Sequence, residues 1–159
     1  MTIAVGDTIP SCKLKVMGEK GPRDVDTKDL FAGKKVVLFA VPGAFTPGCS
    51  NTHMPGYVVH ADEILAKGVD EIVCLSVNDA FVMDAWGKAQ NADRITLLAD
   101  GNADFVQALG LEMDGRGYGM GTRSKRFALV AEDGKVTQLA VEPAGGVTVS
   151  AAEAVLKLL

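Results

Sequence analysis

The chain has 159 residues, of which 20 are acidic and 16 basic, giving a formal charge of −4, and 48% of it is hydrophobic. That length and balance predict one domain, residues 1–159, with a packed core, and exclude a disordered chain. An acidic chain whose one basic cluster (Arg123, Lys125, Arg126) is small and local excludes a nucleic-acid partner, and its longest apolar run, Val36 to Pro42, is only strand length, so no membrane partner is expected.

In chain order, Lys13 to Met17 is a short strand, and Asp26 to Phe31 is a helical turn stopped at Gly33. Lys35 to Val41 is a continuous apolar run that fits a strand buried on both faces. A Pro/Gly loop from Pro42 to Gly48 leads into a helix from Cys49 to Lys67, which Pro55-Gly56 should kink. Glu71 to Val77 is a second buried strand. Asn78 or Asp79 caps a helix carrying Phe81, Val82, Ala85 and Trp86. Ile95 to Ala99 is a third strand, followed by a helix from Ala103 to Leu109 with Gly110 as its stop. Arg126 to Ala131 and Lys135 to Val141 flank Glu132-Asp133-Gly134, a hairpin signal. Ser150 caps a last helix through Leu158.

Helices between strands imply parallel crossovers, and the hairpin adds an antiparallel edge. The expected class is α/β: a central mixed sheet with helices on both faces. Flavodoxin-like and Rossmann sheets compete, but the hairpin and terminal helix favour a thioredoxin-like arrangement.

The loop Pro42-Gly43-Ala44-Phe45-Thr46-Pro47-Gly48-Cys49 leaves the carboxyl end of a buried strand, where open α/β sheets place their sites. Cys49 falls in the first turn of the following helix, where free N–H groups and the dipole favour an anion. A free thiol is only a few per cent thiolate at neutral pH, and a helix terminus supplies only ~1 kcal/mol, so a reactive cysteine there needs a cation as well. Arg123 is the candidate cation. Thr46, three residues before Cys49, offers a hydroxyl that both donates and accepts. Pro42 and Pro47 stiffen the loop. Taken singly, each residue has a plainer reading: a buried small hydrophobe for Cys49, a turn residue for Thr46, a surface charge for Arg123. The constellation carries the inference.

Other features are weaker. His53 lies four residues after Cys49, a spacing that permits a Cys-His nucleophile pair or half a metal site, but a structural role is favoured and no metal is expected. His60 is expected to face solvent. The glycines around Gly117 do not spell a dinucleotide-binding motif. Trp86 and Phe81 are expected in the core or an interface. Cys12 is expected to be structural.

Pro42 to Ser50, then His53, Pro55 and Gly56, resembles the peroxiredoxin active-site segment P-x-x-x-T-x-x-C. Together with Ser76-Val77-Asn78-Asp79, Ala85-Trp86 and Thr122 to Phe127, it is similar to the atypical peroxiredoxin-5-like (type II) subfamily from about Gly6 to the C-terminal helix. The resemblance implies a thioredoxin fold and thiol-dependent reduction of hydroperoxides. It makes Cys49 the peroxidatic cysteine, with Thr46 and Arg123 orienting the peroxide, Pro42 shielding the thiolate, and the N–H groups of Gly48 and Cys49 completing the pocket. Some type II relatives place a resolving cysteine where Cys74 stands. Cys74 lies in an apolar strand, so a core role and a resolving role both stay open. Others carry a resolving cysteine near the C-terminus, where Gly145 to Ser150 has none.

The expected function is therefore reduction of hydrogen peroxide and alkyl hydroperoxides through a Cys49 sulfenic acid, without a cofactor. An external thiol (glutathione with glutaredoxin, or thioredoxin) is the expected reductant, and a homodimer is implied by the resemblance. The stretch from Met1 to Asp7 lacks a charged and then apolar leader, so a cytoplasmic location is expected, a processed organellar form also being allowed. Two other classes stay open: a Cys49–His53 acyl hydrolase and a non-enzymatic redox sensor.

Overall fold

The computed structural model describes residues 2–143 and 145–159. Its frame is a seven-stranded sheet in the order β2-β1-β5-β4-β3-β8-β9. The middle three strands, β3 (Lys35–Ala40), β4 (Glu71–Ser76) and β5 (Ile95–Ala99), run parallel. These are the apolar runs of the sequence, and β3 and β4 are buried at nearly every position. The antiparallel strands are β1 (Lys13–Gly18) and β2 (Gly21–Asp26) on one side and β8 (Phe127–Glu132) and β9 (Lys135–Val141) on the other. Asp133 and Gly134 both take positive φ, 50° and 78°, as a two-residue hairpin turn requires.

Side chains alternate across the sheet. Val37, Phe39 and Cys74 face a layer made by α2 (Met54–Ala66), α3 (Ala80–Ala89) and α5 (Ala152–Leu156), with Tyr57, Ile64, Met83, Trp86 and Val155 in its core. Val36, Leu38 and Leu75 face the opposite layer, where α1 (Thr27–Phe31) and α4 (Asp104–Leu109) supply Phe31, Phe105 and Leu109. The expected mixed sheet covered on both faces is what forms.

Several details differ from the sequence reading. Strand β2 was not expected: Pro22 and the charged Arg23, Asp24 and Asp26 hide it, and such residues are tolerated because β2 is an exposed edge. A second small ribbon, β6 (Glu112–Asp114) with β7 (Thr122–Ser124), brackets the glycine-rich stretch. Asp79, not Asn78, caps α3 by accepting from the Val82 N–H at 2.8 Å. Ser150 does not cap α5, because its hydroxyl donates to Glu142 instead. The irregularity expected at Pro55 is a π-helical turn, Cys49–His53, that precedes α2. Proline lacks an N–H and its ring crowds the carbonyl four residues back, and the wider turn relieves that crowding.

Candidate active site

The site sits where β3 ends. Val41 N–H still bonds to Leu75 O on β4, and Ala44 N–H donates to Asn78 Oδ1 at 2.9 Å, which ties the Pro/Gly loop to the end of β4. Phe45, at the crest of the loop, holds a positive φ of 64°, a conformation costly for a bulky residue. Pro47 and Gly48 already carry helical geometry, so Cys49 lies in the first turn, fully buried.

Two donors meet the Cys49 sulfur. Thr46 Oγ1 lies 2.9 Å from Sγ and Arg126 Nη2 lies 3.2 Å from it. Thr46 Oγ1 also lies 2.6 Å from Gly43 O, and a hydroxyl has one proton. It donates to Gly43 O while the sulfur is a thiol, and can turn to the sulfur once that becomes an anion. The guanidinium is always a cation and always a donor. A sulfur with these neighbours is set up to carry negative charge and to deliver it to an electrophile.

Arg126 is the residue the sequence reading missed. The sequence places Arg126 in a small basic cluster and offers Arg123 as the candidate cation. Arg123 instead braces the loop: its Nε donates to Met120 O at 2.9 Å and its Nη1 to Pro42 O at 3.3 Å. The physical reason is strand register. Ala40 on β3 pairs with Phe127 on antiparallel β8, so Arg126 lies across from the first residue after β3 and reaches the mouth of the loop. Arg123 lies on the separate β6–β7 ribbon. The signal was available in the hairpin, since the residue just before a strand antiparallel to β3 must fall beside the loop that follows β3.

Gly48 lies under Arg126: a Cβ there would sit 3.1 Å from Nη2. Pro42 is half-buried, with its carbonyl held by Arg123. Cys74 is fully buried on β4 between Phe39 and Leu97. Burial first, then the neighbouring Cys49, pushes its thiol well above the usual range, with Arg126 opposing. Cys12 is half-buried on the far side of the sheet, packed against the α1/α4 layer.

His53 is buried, but it does not face the sulfur as a base. Its Nδ1 lies 2.8 Å from Arg126 Nη1 and its Nε2 lies 3.0 Å from Ser150 O. Both ring nitrogens are occupied, which leaves neither to take a proton from Cys49 and removes the basis for a Cys-His hydrolase. Burial, against the Ser150 hydrogen bond, and with Arg126 adding to it, lowers its pKa to about 4. His60 is half-buried rather than solvent-facing, bridging Glu63 on α2 and Glu153 on α5. Trp86 is in the core, where Nε1 donates to Ser50 Oγ at 3.0 Å, whereas Phe81 is exposed. Among the described residues, no group of three or more His, Cys, Asp or Glu side chains is placed to hold a metal ion.

The family model for Redoxin matches residues 4–156. The chain is 48% identical to Peroxiredoxin-2B of Arabidopsis thaliana, over 99% of this chain and 98% of that relative. The chain belongs to the redoxin family and is a peroxiredoxin. The fold of this peroxiredoxin is similar to that of reduced Prx3 from Vibrio vulnificus in complex with h2o2, with a TM-score of 0.96 and 55% identity over 99% of both chains. It is also similar to peroxiredoxin 5 from Alvinella pompejana, with a TM-score of 0.86 and 36% identity over 98% of this chain and 96% of that one. The peroxiredoxin is thus a thiol-dependent peroxidase with a thioredoxin-like fold, acting on hydroperoxides at the expense of a thiol reductant.

Proposed function

We propose that Cys49 is the peroxidatic nucleophile, with Thr46 and Arg126 as the groups that hold the peroxide and stabilise the transition state. The observation that carries this reading is the pair of donors on one sulfur, Thr46 Oγ1 at 2.9 Å and Arg126 Nη2 at 3.2 Å. The thiolate attacks the terminal oxygen of HO–OR, the O–O bond breaks, and an S–OH bond forms. The leaving RO⁻ takes up a proton to become water or an alcohol. Negative charge moves from sulfur to oxygen during this step, and donors already aimed at that space favour the transition state over the ground state. By the family resemblance, the N–H groups of Gly48 and Cys49, in the first turn of the helix, would complete the pocket. Pro42 and Arg123 hold the loop around it.

The substrates we assign are hydrogen peroxide and alkyl hydroperoxides, since full burial of Cys49 favours a small polar head over a bulky one. The reductant is an external thiol, glutathione with glutaredoxin or thioredoxin. Cys74 supports that choice, since it is fully buried within β4 with its thiol held protonated. An intramolecular bridge would need the Cys49–His53 turn to open and β4 to give way. A reducing cytoplasm suits this cycle; no helix among the described residues is long and apolar enough to cross a membrane. A homodimer is supported by the exposed rings of Phe45, next to Ala44, and Phe81, three residues after Asn78, at 57% and 66% exposure.

The test is consumption of hydrogen peroxide under a glutathione–glutaredoxin or thioredoxin supply, followed by mass spectrometry after one equivalent of peroxide. Cys49→Ser should abolish turnover, and wild type should carry a sulfenic acid or a glutathione adduct on Cys49. Unchanged turnover in Cys49→Ser rejects the site; a Cys49–Cys74 bridge rejects direct resolution of the Cys49 sulfenic acid by an external thiol, which would then have to reduce the bridge instead.

A further inference from the structure

Two polar side chains close to the site take no part in the chemistry above. They are His53 and, behind it, Glu142. Their hydrogen bonds form one chain that ends on the reactive sulfur.

Arginine only donates, so His53 Nδ1, 2.8 Å from Arg126 Nη1, must accept. The ring proton then lies on Nε2 and donates to Ser150 O at 3.0 Å. Only this neutral tautomer satisfies both contacts; the other tautomer or the imidazolium would set N–H against N–H. Ser150 O also accepts from Tyr57 Oη at 2.7 Å. That carbonyl is fixed from behind. Glu142 Oε2 accepts from Ser150 N at 2.9 Å, from Ser150 Oγ at 2.6 Å and from Thr148 N at 2.8 Å, and Oε1 accepts from Thr148 Oγ1 at 2.6 Å. The ring is walled by Phe39 of β3 and Tyr57 of α2, which stack on each other at 3.8 Å. The charged groups facing it are Arg126 and, through Ser150, Glu142.

We propose that His53 and Glu142 are positioning residues of the peroxidase: the Glu142-clamped Ser150 carbonyl fixes the His53 tautomer, and Nδ1 of that tautomer seats Arg126 on the Cys49 sulfur. Without the Nδ1 acceptor, one arm of the guanidinium is unpaired in a half-buried site and the other loses its fixed direction toward sulfur. The C-terminal segment thereby sets the electrostatics of a cysteine more than ninety residues earlier in the chain. This inference rests on the assignment of Cys49 and Arg126 above.

The experiment compares three variants in single-turnover oxidation of Cys49 by hydrogen peroxide and in iodoacetamide labelling of Cys49 as a function of pH. Asparagine at 53 places an oxygen where Nδ1 stood and keeps the acceptor for Arg126. Glutamine places its amide near the Nε2 position, keeps the bond to Ser150 and loses the acceptor. His53→Gln should slow oxidation by about 10- to 100-fold, the scale of one charge-assisted hydrogen bond, and move the labelling midpoint to higher pH. His53→Asn should stay within about threefold of wild type, and Glu142→Gln should lose about three- to tenfold with the midpoint moving the same way. A role in filling space alone predicts the opposite order, because glutamine fills the cavity better than asparagine. The proposal is overturned if His53→Gln oxidises at the wild-type rate, if His53→Asn is no faster than His53→Gln, or if Glu142→Gln leaves both readouts unchanged. Should His53→Gln not fold, the other two variants decide. Cys49→Ser run in parallel separates the cases: if it is inactive while the three variants match wild type, the site stands and only the positioning chain fails.

Discussion

A guanidinium and a hydroxyl on one sulfur supply different things. Arg126 brings a permanent charge with a fixed direction, and Thr46 brings a proton that chooses between Gly43 O and Cys49 Sγ. Replacing Arg126 by Lys keeps the charge but cannot bridge His53 and the sulfur together. Arg126→Lys should therefore lower the second-order rate of Cys49 oxidation by about 10- to 100-fold. Arg123→Lys loses only contacts to main-chain oxygens and should cost less than about threefold, measured in the same stopped-flow assay. Thr46→Val should fall with Arg126→Lys, and Thr46→Ser should stay near wild type. Equal losses at Arg123 and Arg126 would return the role to Arg123. Cys49 and Thr46 were legible because a local segment places them: one loop and the first turn of one helix. Arg126 was not, because its position depends on the pairing of β8 with β3, a contact between residues far apart in sequence. The sequence offers His53 as a partner of Cys49 or as a structural residue, and its contact with Arg126 is not legible there, for the same reason.

Elements follow the same division. The buried strands, the Asp133–Gly134 hairpin and the Gly110 stop of α4 were legible because each rests on local chemistry: apolar runs, paired positive φ, a left-handed cap at φ 71°. Strand β2 and the β6–β7 ribbon were not, since they are short or exposed and exist through their partners. Ser150 looked like a helix cap from its sequence position, but Glu142 from the end of β9 captures it first. The π-helical turn also matters at this scale. Gly48, which caps it, has φ −62°, a geometry in which alanine is comfortable, yet a Cβ there meets Arg126 Nη2 at 3.1 Å. Gly48→Ala should thus leave the melting temperature unchanged or raise it, because alanine favours a helix by about 1 kcal/mol over glycine. The same variant should slow Cys49 oxidation by about three- to tenfold, because the guanidinium must give way. A drop in stability together with full activity would show that Arg126 has room to move without leaving the sulfur.

For the whole molecule, the network around Ser150 ties folding to proton uptake. His53 has a folded pKa of about 4, lowered first by burial, with the bond to Ser150 opposing and Arg126 adding to the effect. An unfolded chain binds that proton near pH 6.5. Between about pH 6.5 and 4 the unfolded state holds more protons than the folded one, so stability rises with pH across that window and falls as acid is added. The contribution is absent above about pH 6.5 and reaches about 3 kcal/mol of lost stability near pH 4, from 1.36 kcal/mol per unit. Glu142 extends the loss: burial raises its pKa, but bonds from Ser150 and Thr148 outweigh that and hold the carboxyl at about 2, so the stability it lends is present above about pH 4.5 and goes as pH falls toward 2. Asp100 works in the other direction: burial raises its pKa, the Val106 and Phe105 N–H groups opposing, so its contribution to stability is lost as pH rises and regained as acid is added. Subtracting one variant from wild type isolates the histidine. Urea melts of wild type and His53→Asn at pH 8, 7, 6, 5 and 4.5 should give a stability difference that is constant above pH 6.5 and shrinks steadily below it, because only wild type carries the titrating group. A difference independent of pH would mean that the ring takes up its proton in the folded state as readily as in water, and the single neutral tautomer facing Arg126 would then be wrong.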